Sequence, residues 1–368
     1  MRYRIQHLTS YSYDSPVFES FNEVRLQPLV CATQSVLDFD LRIEPPATVI
    51  AFRDYYGNSV HDFGVAYLHD RLVIEATSDV VTHAAADELL VAEVESETDA
   101  SPALETLAGD GELQDEFSEF LGPSSYIVLG NESKAMARKL LAAETSPSAL
   151  RFLDLAAEAV RTRLTYKVGS TTVHSSVAEV LAGGAGVCQD FAHVLISLCR
   201  HVGLPARYVS GYLGGVAEAA ASHAWIEAYV PPYGWLGIDA TLGTHCTGQH
   251  VKIGVGRDYA DVTVLRGTYQ GGSLAELDVA VTCETVGGVD RVSQLGNDEE
   301  EPQGRLIAIQ NLGAMRRFQQ GAVLTQAMGG MRQTLSDDLP LPPPRAQTRG
   351  EDGTPSQQPH QQQQGPCT

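Results

Sequence analysis

Over the first 82 residues, apolar and polar positions alternate in short runs broken by Pro, Gly, Asn and Asp. Ile5, Leu8 and the Tyr11/Tyr13 pair open the chain, and Asp14-Ser15-Pro16 predicts a turn before Val17. Val36–Ile43 alternates, Tyr56-Gly57-Asn58 is a turn, and Leu72–Ala76 is another apolar run. This period of two predicts strands, and so a small β-rich domain over residues 1–82. From residue 131 the period changes to the helical one. Lys134–Ala143 and Leu150–Leu164 carry apolar residues at three- and four-residue steps, with a break at Ser146-Pro147-Ser148. Tyr166–Val173 reads as a loop and Ser176–Leu181 as a short helix. Gly183, Gly184 and Gly186 then form a loop, after which Phe191, Ala192, Leu195, Leu198, Cys199 and Val202 mark one face of a helix that starts at Cys188. Gly203 and Pro205 stop it.

Beyond Ala206 the alternation returns. Ala206–Leu213, His223–Val230 and Trp235–Thr241 read as strands, the last two joined by the turn Pro231-Pro232-Tyr233-Gly234 into a hairpin. Val262–Arg266 and Leu277–Val286 are further strand-like pieces, grouped here with the second domain over residues 131–288. Between the two domains, Asp87–Glu119 holds twelve acidic residues and no Lys or Arg, which predicts a solvated, partly helical linker over 83–130. Residues 289–368 form a low-complexity tail: Asp298–Pro302 is acidic, and Leu339–Thr368 is rich in Pro and Gln. Such composition cannot bury a core and predicts disorder. Within the tail, Arg305–Thr334 has roughly helical apolar steps and reads as an amphipathic helix that docks on a protein partner or on the main body. The fold class is therefore α+β.

Composition narrows the partners. With 46 acidic against 25 basic residues the formal charge is −21, which disfavours nucleic acid and anionic membrane. Six cysteines, Cys31, Cys188, Cys199, Cys246, Cys283 and Cys367, are scattered without framework spacing, as in a reducing compartment. The polar N-terminus and the absence of a long apolar run give a cytoplasmic expectation.

Cys188 is the first chemical suspect. At the first turn of a helix, unpaired amides and the helix dipole stabilise a thiolate. A thiol nucleophile needs a base, and the base needs a group that sets its tautomer. His223 begins one hairpin strand and Asp239 lies near the end of the other. Side chains alternate across a strand, so His223 shares a face with Trp225, Glu227 and Tyr229, and Asp239 with Trp235 and Gly237. A four-residue turn puts Asp239 at or within two places of His223, inside cross-strand or diagonal reach. In the resulting scheme Cys188 and His223 form an ion pair, the thiolate attacks an amide carbonyl, and a thioester forms. The Cys188 amide is an oxyanion donor candidate, and the loop glycines leave room for an extended substrate. Cys199, on the apolar face, reads as structural. A zinc site from Cys188, His193, Cys199, His201, His245 and Cys246 is disfavoured, because no Cys-x-x-Cys or His-x-x-x-His spacing occurs. The glycines lack the Lys-Ser/Thr of a phosphate cradle.

Three stretches carry a resemblance: Gly-Val-Cys-Gln-Asp-Phe-Ala-His (186–193), Ser-His-Ala-Trp-Ile-Glu (222–227) and Gly-Trp-Leu-Gly-Ile-Asp-Ala-Thr (234–241). They resemble the core motifs of the transglutaminase-like superfamily. Residues 255–262 and 266–271 are similar to its bacterial branch, and 7–14, 22–28 and 54–58 to the β-rich region that precedes the core there. The resemblance spans roughly residues 1–286 and implies a papain-like core in which Cys188, His223 and Asp239 match the catalytic Cys, His and Asp. Ala240 departs from it, standing where the family commonly has Pro.

Together these readings predict a thiol enzyme acting on peptide or protein amide bonds without metal or cofactor. A cysteine peptidase or amidase is favoured over a transamidase, since the two share the thioester and differ in the acceptor. A non-catalytic scaffold is the remaining alternative, and the acidic stretch Asp87–Glu119 lacks calcium-loop spacing.

Overall fold

In the computed structural model, residues 1–83, 100–215 and 222–286 are described. They belong to one unit, Met1–Gly329. The tail expectations, including the Arg305–Thr334 helix, lie outside the described residues, as does the first half of the acidic stretch.

The N-terminal region is built on one long strand, β1 (Arg2–Val24). Its odd positions from Tyr3 to Tyr13 are buried, as is Val17, while beyond the irregularity the phase switches and Ser20, Asn22 and Val24 are buried. β2 (Gln34–Glu44), β3 (Val49–Arg53), β4 (Ser59–Val65) and β5 (His69–Thr82) complete the sheet in the order β2-β5-β1-β4-β3. The predicted turn at Asp14-Ser15-Pro16 is a shift of register inside β1, between Ser12 and Val17 against β5. Pro16 has no N–H to give to a ladder, so the strand bulges past it and resumes.

Residues 100–130 depart from the solvated linker predicted there. α1 (Leu104–Gly109) and α2 (Gly111–Glu116) bury Leu104, Leu107 and Leu113, and Phe120 and Ile127 are buried after them. Their acidic side chains, such as Glu105 and Glu112, face out. High negative charge marks the outer face only; the inner face carries enough apolar area to fold. α3 (Asn131–Ala143) and α4 (Ala149–Arg163) follow, with Ser148 accepting from the Arg151 N–H at 3.1 Å as the N-cap of α4. After β6 (Thr165–Tyr166), α5 (Val177–Gly183) starts at a Ser176/Glu179 capping box. β7 (Ala185–Gly186) pairs in parallel with β6, and α6 (Cys188–His201) follows. Every residue of α6 from Gln189 to Arg200 is buried, as in a central helix with neighbours all round.

β8 (Ala206–Leu213), β9 (His223–Val230), β10 (Gly234–Asp239), β11 (Thr244–His245) and β12 (His250–Gly256) form a second sheet, ordered β11-β10-β9-β8-β12. Ala224, Ile226, Ala228, Leu236 and Ile238 share one apolar core with α6. On β8 and β12, Tyr212, Val251 and Ile253 share another with the N-terminal sheet.

The last strands, β13 (Leu265–Gly271) and β14 (Leu274–Thr285), return to the first sheet and pair with β1. The alternation grouped them with the second domain. β1 decides otherwise, because one of its edges is taken by β5 and β4 and the other would stand unpaired without them. No helix among the described residues is long and apolar enough to cross a membrane.

Candidate active site

Cys188 is the first residue of α6 and is partly exposed. The loop before it is tied down by Asp190, whose Oδ2 accepts from the Val187 N–H at 2.8 Å and from the Thr171 hydroxyl at 2.6 Å. Burial pushes the Asp190 carboxyl up to about 6 against those two hydrogen bonds. The glycines were expected to make room for substrate. Gly186 instead makes room for Asp190, since a Cβ there would lie 2.6 Å from the Asp190 Cβ. Gly183 is the last residue of α5.

In the hairpin, Ile238 is opposite Ile226 and Gly237 opposite Glu227, which puts Asp239 level with Trp225 and diagonal to His223. The His223 ring spans that diagonal: Nε2 donates to Asp239 Oδ2 at 2.5 Å. Nδ1 is left free of Asp239, on a ring close enough to Cys188 for the two groups to interact. Burial lowers the His223 pKa, but the charge and hydrogen bond of Asp239, with Cys188 behind them, outweigh it and raise it to about 10. Asp239 is fully buried and is held far below the usual carboxylate range, because the two histidines facing it outweigh its own desolvation. Its Oδ1 accepts from the Thr241 N–H at 2.8 Å and the Leu242 N–H at 3.2 Å. Those two bonds fix the turn through Ala240 that follows Asp239. The structure thus brings all three expected residues together.

Sequence reasoning missed a fourth residue, His250, whose Nε2 lies 3.4 Å from Asp239 Oδ2. Its Nδ1 accepts from the Thr247 N–H at 3.1 Å. No local pattern marks it, because β12 reaches the site from the far edge of the sheet. Among the described residues, His223, Asp239 and His250 are the one group close enough to hold a metal ion. The hydrogen bonds argue for a different role. A lone pair on His250 Nδ1 places the ring proton on Nε2, facing Asp239, so no lone pair there is free for a metal. The other residues weighed for zinc go separate ways. His193 Nε2 accepts from the Tyr259 N–H at 3.2 Å, His201 meets Ser133 Oγ at 2.9 Å, and His245 meets Asp154 at 2.8 Å. Cys199 and Cys246 are buried in different cores.

Two family models match the chain: the transglutaminase-like superfamily over residues 134–240, and the bacterial transglutaminase-like N-terminal region over residues 3–81. An uncharacterized protein of Mycobacterium leprae, ML0607, is 35% identical over 287 residues, covering 76% of this chain and 97% of that protein. The chain belongs to the transglutaminase-like superfamily. A solved Cytophaga hutchinsonii structure, described as a candidate cysteine protease, shares the fold at a TM-score of 0.59 and 23% identity. The match covers 78% of this chain and 92% of that one. A protein-glutamine gamma-glutamyltransferase of Pseudomonas aeruginosa is 36% identical over 66 residues, 16% of this chain and 10% of that protein. The transglutaminase-like core model takes in Cys188, His223 and Asp239, while His250 lies beyond its end.

Aromatic and charged groups close the remaining sides of this transglutaminase-like site. Tyr166, Tyr208 and Tyr259 have phenols raised above all by burial, so they stay protonated. Glu227, two positions along β9 from Trp225, is fully buried and ion-paired with Arg207 and Lys252. The Arg207 guanidinium in turn lies 4.1 Å above the Trp235 ring. That cluster accounts for the Glu of the Ser-His-Ala-Trp-Ile-Glu stretch as a structural group.

Proposed function

We propose that this protein is a thiol hydrolase of amide or peptide bonds, with Cys188 as nucleophile, His223 as base and acid, and Asp239 as the group that orients His223. The observation that carries this reading is the His223–Asp239 hydrogen bond of 2.5 Å beside a cysteine at a helix start. With Nε2 bound to a buried carboxylate, the imidazole is fixed in one tautomer and presents Nδ1 to the thiol. Proton transfer from Cys188 to Nδ1 gives a thiolate–imidazolium pair. The thiolate adds to the amide carbonyl, and the oxyanion is met by the Cys188 amide at the start of α6. His223 returns its proton to the leaving amine as the C–N bond breaks, which leaves a thioester. Water, deprotonated by His223, then releases the acid and the thiol.

The thioester can equally be resolved by an amine. The local likeness to the Pseudomonas aeruginosa gamma-glutamyltransferase favours that second reading, in which the acceptor alone differs. Incubation with a peptide library and a labelled primary amine tests both. Cleaved or deamidated peptides, read by mass spectrometry and lost in Cys188→Ala, support hydrolysis; label on glutamine supports transfer. Neither product from the intact protein would remove the catalytic reading in favour of a scaffold.

A further inference from the structure

The triad reading uses three of the four donors to Asp239, which are His223 and the amides of Thr241 and Leu242. His250 has no part in it. Yet His250 is the more deeply buried of the two histidines that face that carboxylate. Its side chain is 3% exposed, against 15% for His223. Its ring stands edge-on to Trp225, with centroids 5.1 Å apart at 77°. The backbone folds back on it: the His250 N–H donates to the Thr247 carbonyl at 2.9 Å, and the Thr247 N–H donates to His250 Nδ1 at 3.1 Å. That closed turn sets the tautomer and leaves Nε2–H aimed at Asp239 Oδ2.

Oδ2 is the oxygen that His223 needs. Oδ1 is anchored by two amides of a turn, and the carboxylate can still swing about that anchor. The His223 ring stands at the start of a strand and is more exposed than His250, so it is the less enclosed of the two partners of Oδ2. We infer that His250 is a positioning residue of this site: its Nε2–H holds Asp239 Oδ2 in the orientation that meets His223, and so keeps His223 aimed at Cys188. At 3.4 Å the contact is long, and its role is direction more than strength. The inference rests on the triad reading. The titratable groups facing His223 are Cys188 from α6, Asp239 from β10 and His250 from β12, and Tyr166 from β6 shares the field of Cys188 and Asp239.

Two substitutions separate positioning from packing. His250→Gln keeps an acceptor for the Thr247 N–H and a donor for Asp239 but loses the aromatic edge against Trp225. His250→Phe keeps the aromatic edge and loses both polar atoms. The readout is the rate of Cys188 alkylation by iodoacetamide against pH, with peptide mapping to assign the modified cysteine and thermal unfolding to check each fold. His250→Phe is expected to move the acid limb of the profile up by about one pH unit, a roughly tenfold slower alkylation below it. His250→Gln is expected to recover most of that loss. A His250→Phe profile that overlays the original, or a Gln variant that loses as much as Phe, would overturn the proposal. Asp239→Asn keeps the two readings apart. If it collapses the profile while His250→Phe does not, His250 alone is excluded; if it leaves the profile unchanged, the triad reading falls and this inference with it.

Discussion

The indole of Trp225 lies where a side chain on Gly211 would have to be. A Cβ at position 211 would collide with the Trp225 ring and with the Val251 carbonyl oxygen. Gly211 is opposite His223 in the sheet, and the gap it leaves admits the Trp225 ring, which meets His250 edge-on.

Gly211→Ala is therefore expected to destabilise the fold by about 3 kcal/mol, since one of the two obstacles is backbone and cannot turn aside. Urea unfolding measures it. Gly109→Ala, where a Cβ would meet nothing within 4 Å, should change stability by less than about 0.5 kcal/mol. Equal effects at the two positions would contradict the packing argument.

The cysteines should differ sharply in reactivity. Burial pushes the thiols of Cys199 and Cys283 up to about 12, whereas Cys188 is partly exposed beside His223. Brief alkylation of the native protein near neutral pH is expected to label Cys188 and spare Cys199 and Cys283, as read by peptide mass spectrometry. Labelling of Cys199 at a comparable rate would contradict this reading.

With Asp239 orienting His223 as proposed, loss of the carboxylate should cost more than one hydrogen bond. Asp239→Asn puts an amide where His223 needs an acceptor and reverses the tautomer. Any amidase turnover is expected to fall by about 10³–10⁴-fold, with little change in KM. A loss confined to KM would mean that Asp239 serves binding and not His223.

Stability should depend on pH through His223. Its pKa rises from 6.5 to about 10 on folding, so the folded state binds the extra proton more tightly. The resulting stabilisation is complete below about 6.5 and is lost as pH rises through about 10. Melting temperatures of the original protein and His223→Gln should differ by a constant amount in mild acid and converge in alkali. A gap that widens with pH would have the wrong sign.

Arg200, near the far end of α6 from Cys188, is buried and gathers backbone. It donates to the carbonyls of Ala206, Gly122 and Arg257 and to Ser124 Oγ. Burial lowers its pKa to about 10, while Asp258 opposes the shift. Arg200→Met strands those acceptors and is expected to cost about 3 kcal/mol in chemical denaturation. Iodoacetamide reactivity of Cys188 in the folded variant should be unchanged.

The helix that begins at Cys188, the strands Ala206–Leu213 and His223–Val230, and the diagonal between His223 and Asp239 were all legible in the sequence. Each rests on contacts a few residues apart: a helical period, a two-residue alternation, and a short turn that sets the register of one hairpin. The family motifs sit on the same local elements. Residues 100–130 are partly helical as expected but not solvated throughout: their six acidic side chains mask a few buried leucines, and charge counts do not say which face of a helix looks inward.

What only the tertiary structure decided involves pairs that no local pattern couples. β14 returns across the whole chain to pair Thr285 with Tyr3, because the open edge of β1 selects a partner by fit and not by sequence distance. His250 is eleven positions from Asp239 but reaches it across strands β8 and β9, over a ring that needs a glycine beneath it. The sequence by itself determined the helix that starts at Cys188 and the reach between His223 and Asp239. The packing of one sheet against another decided which further groups surround them.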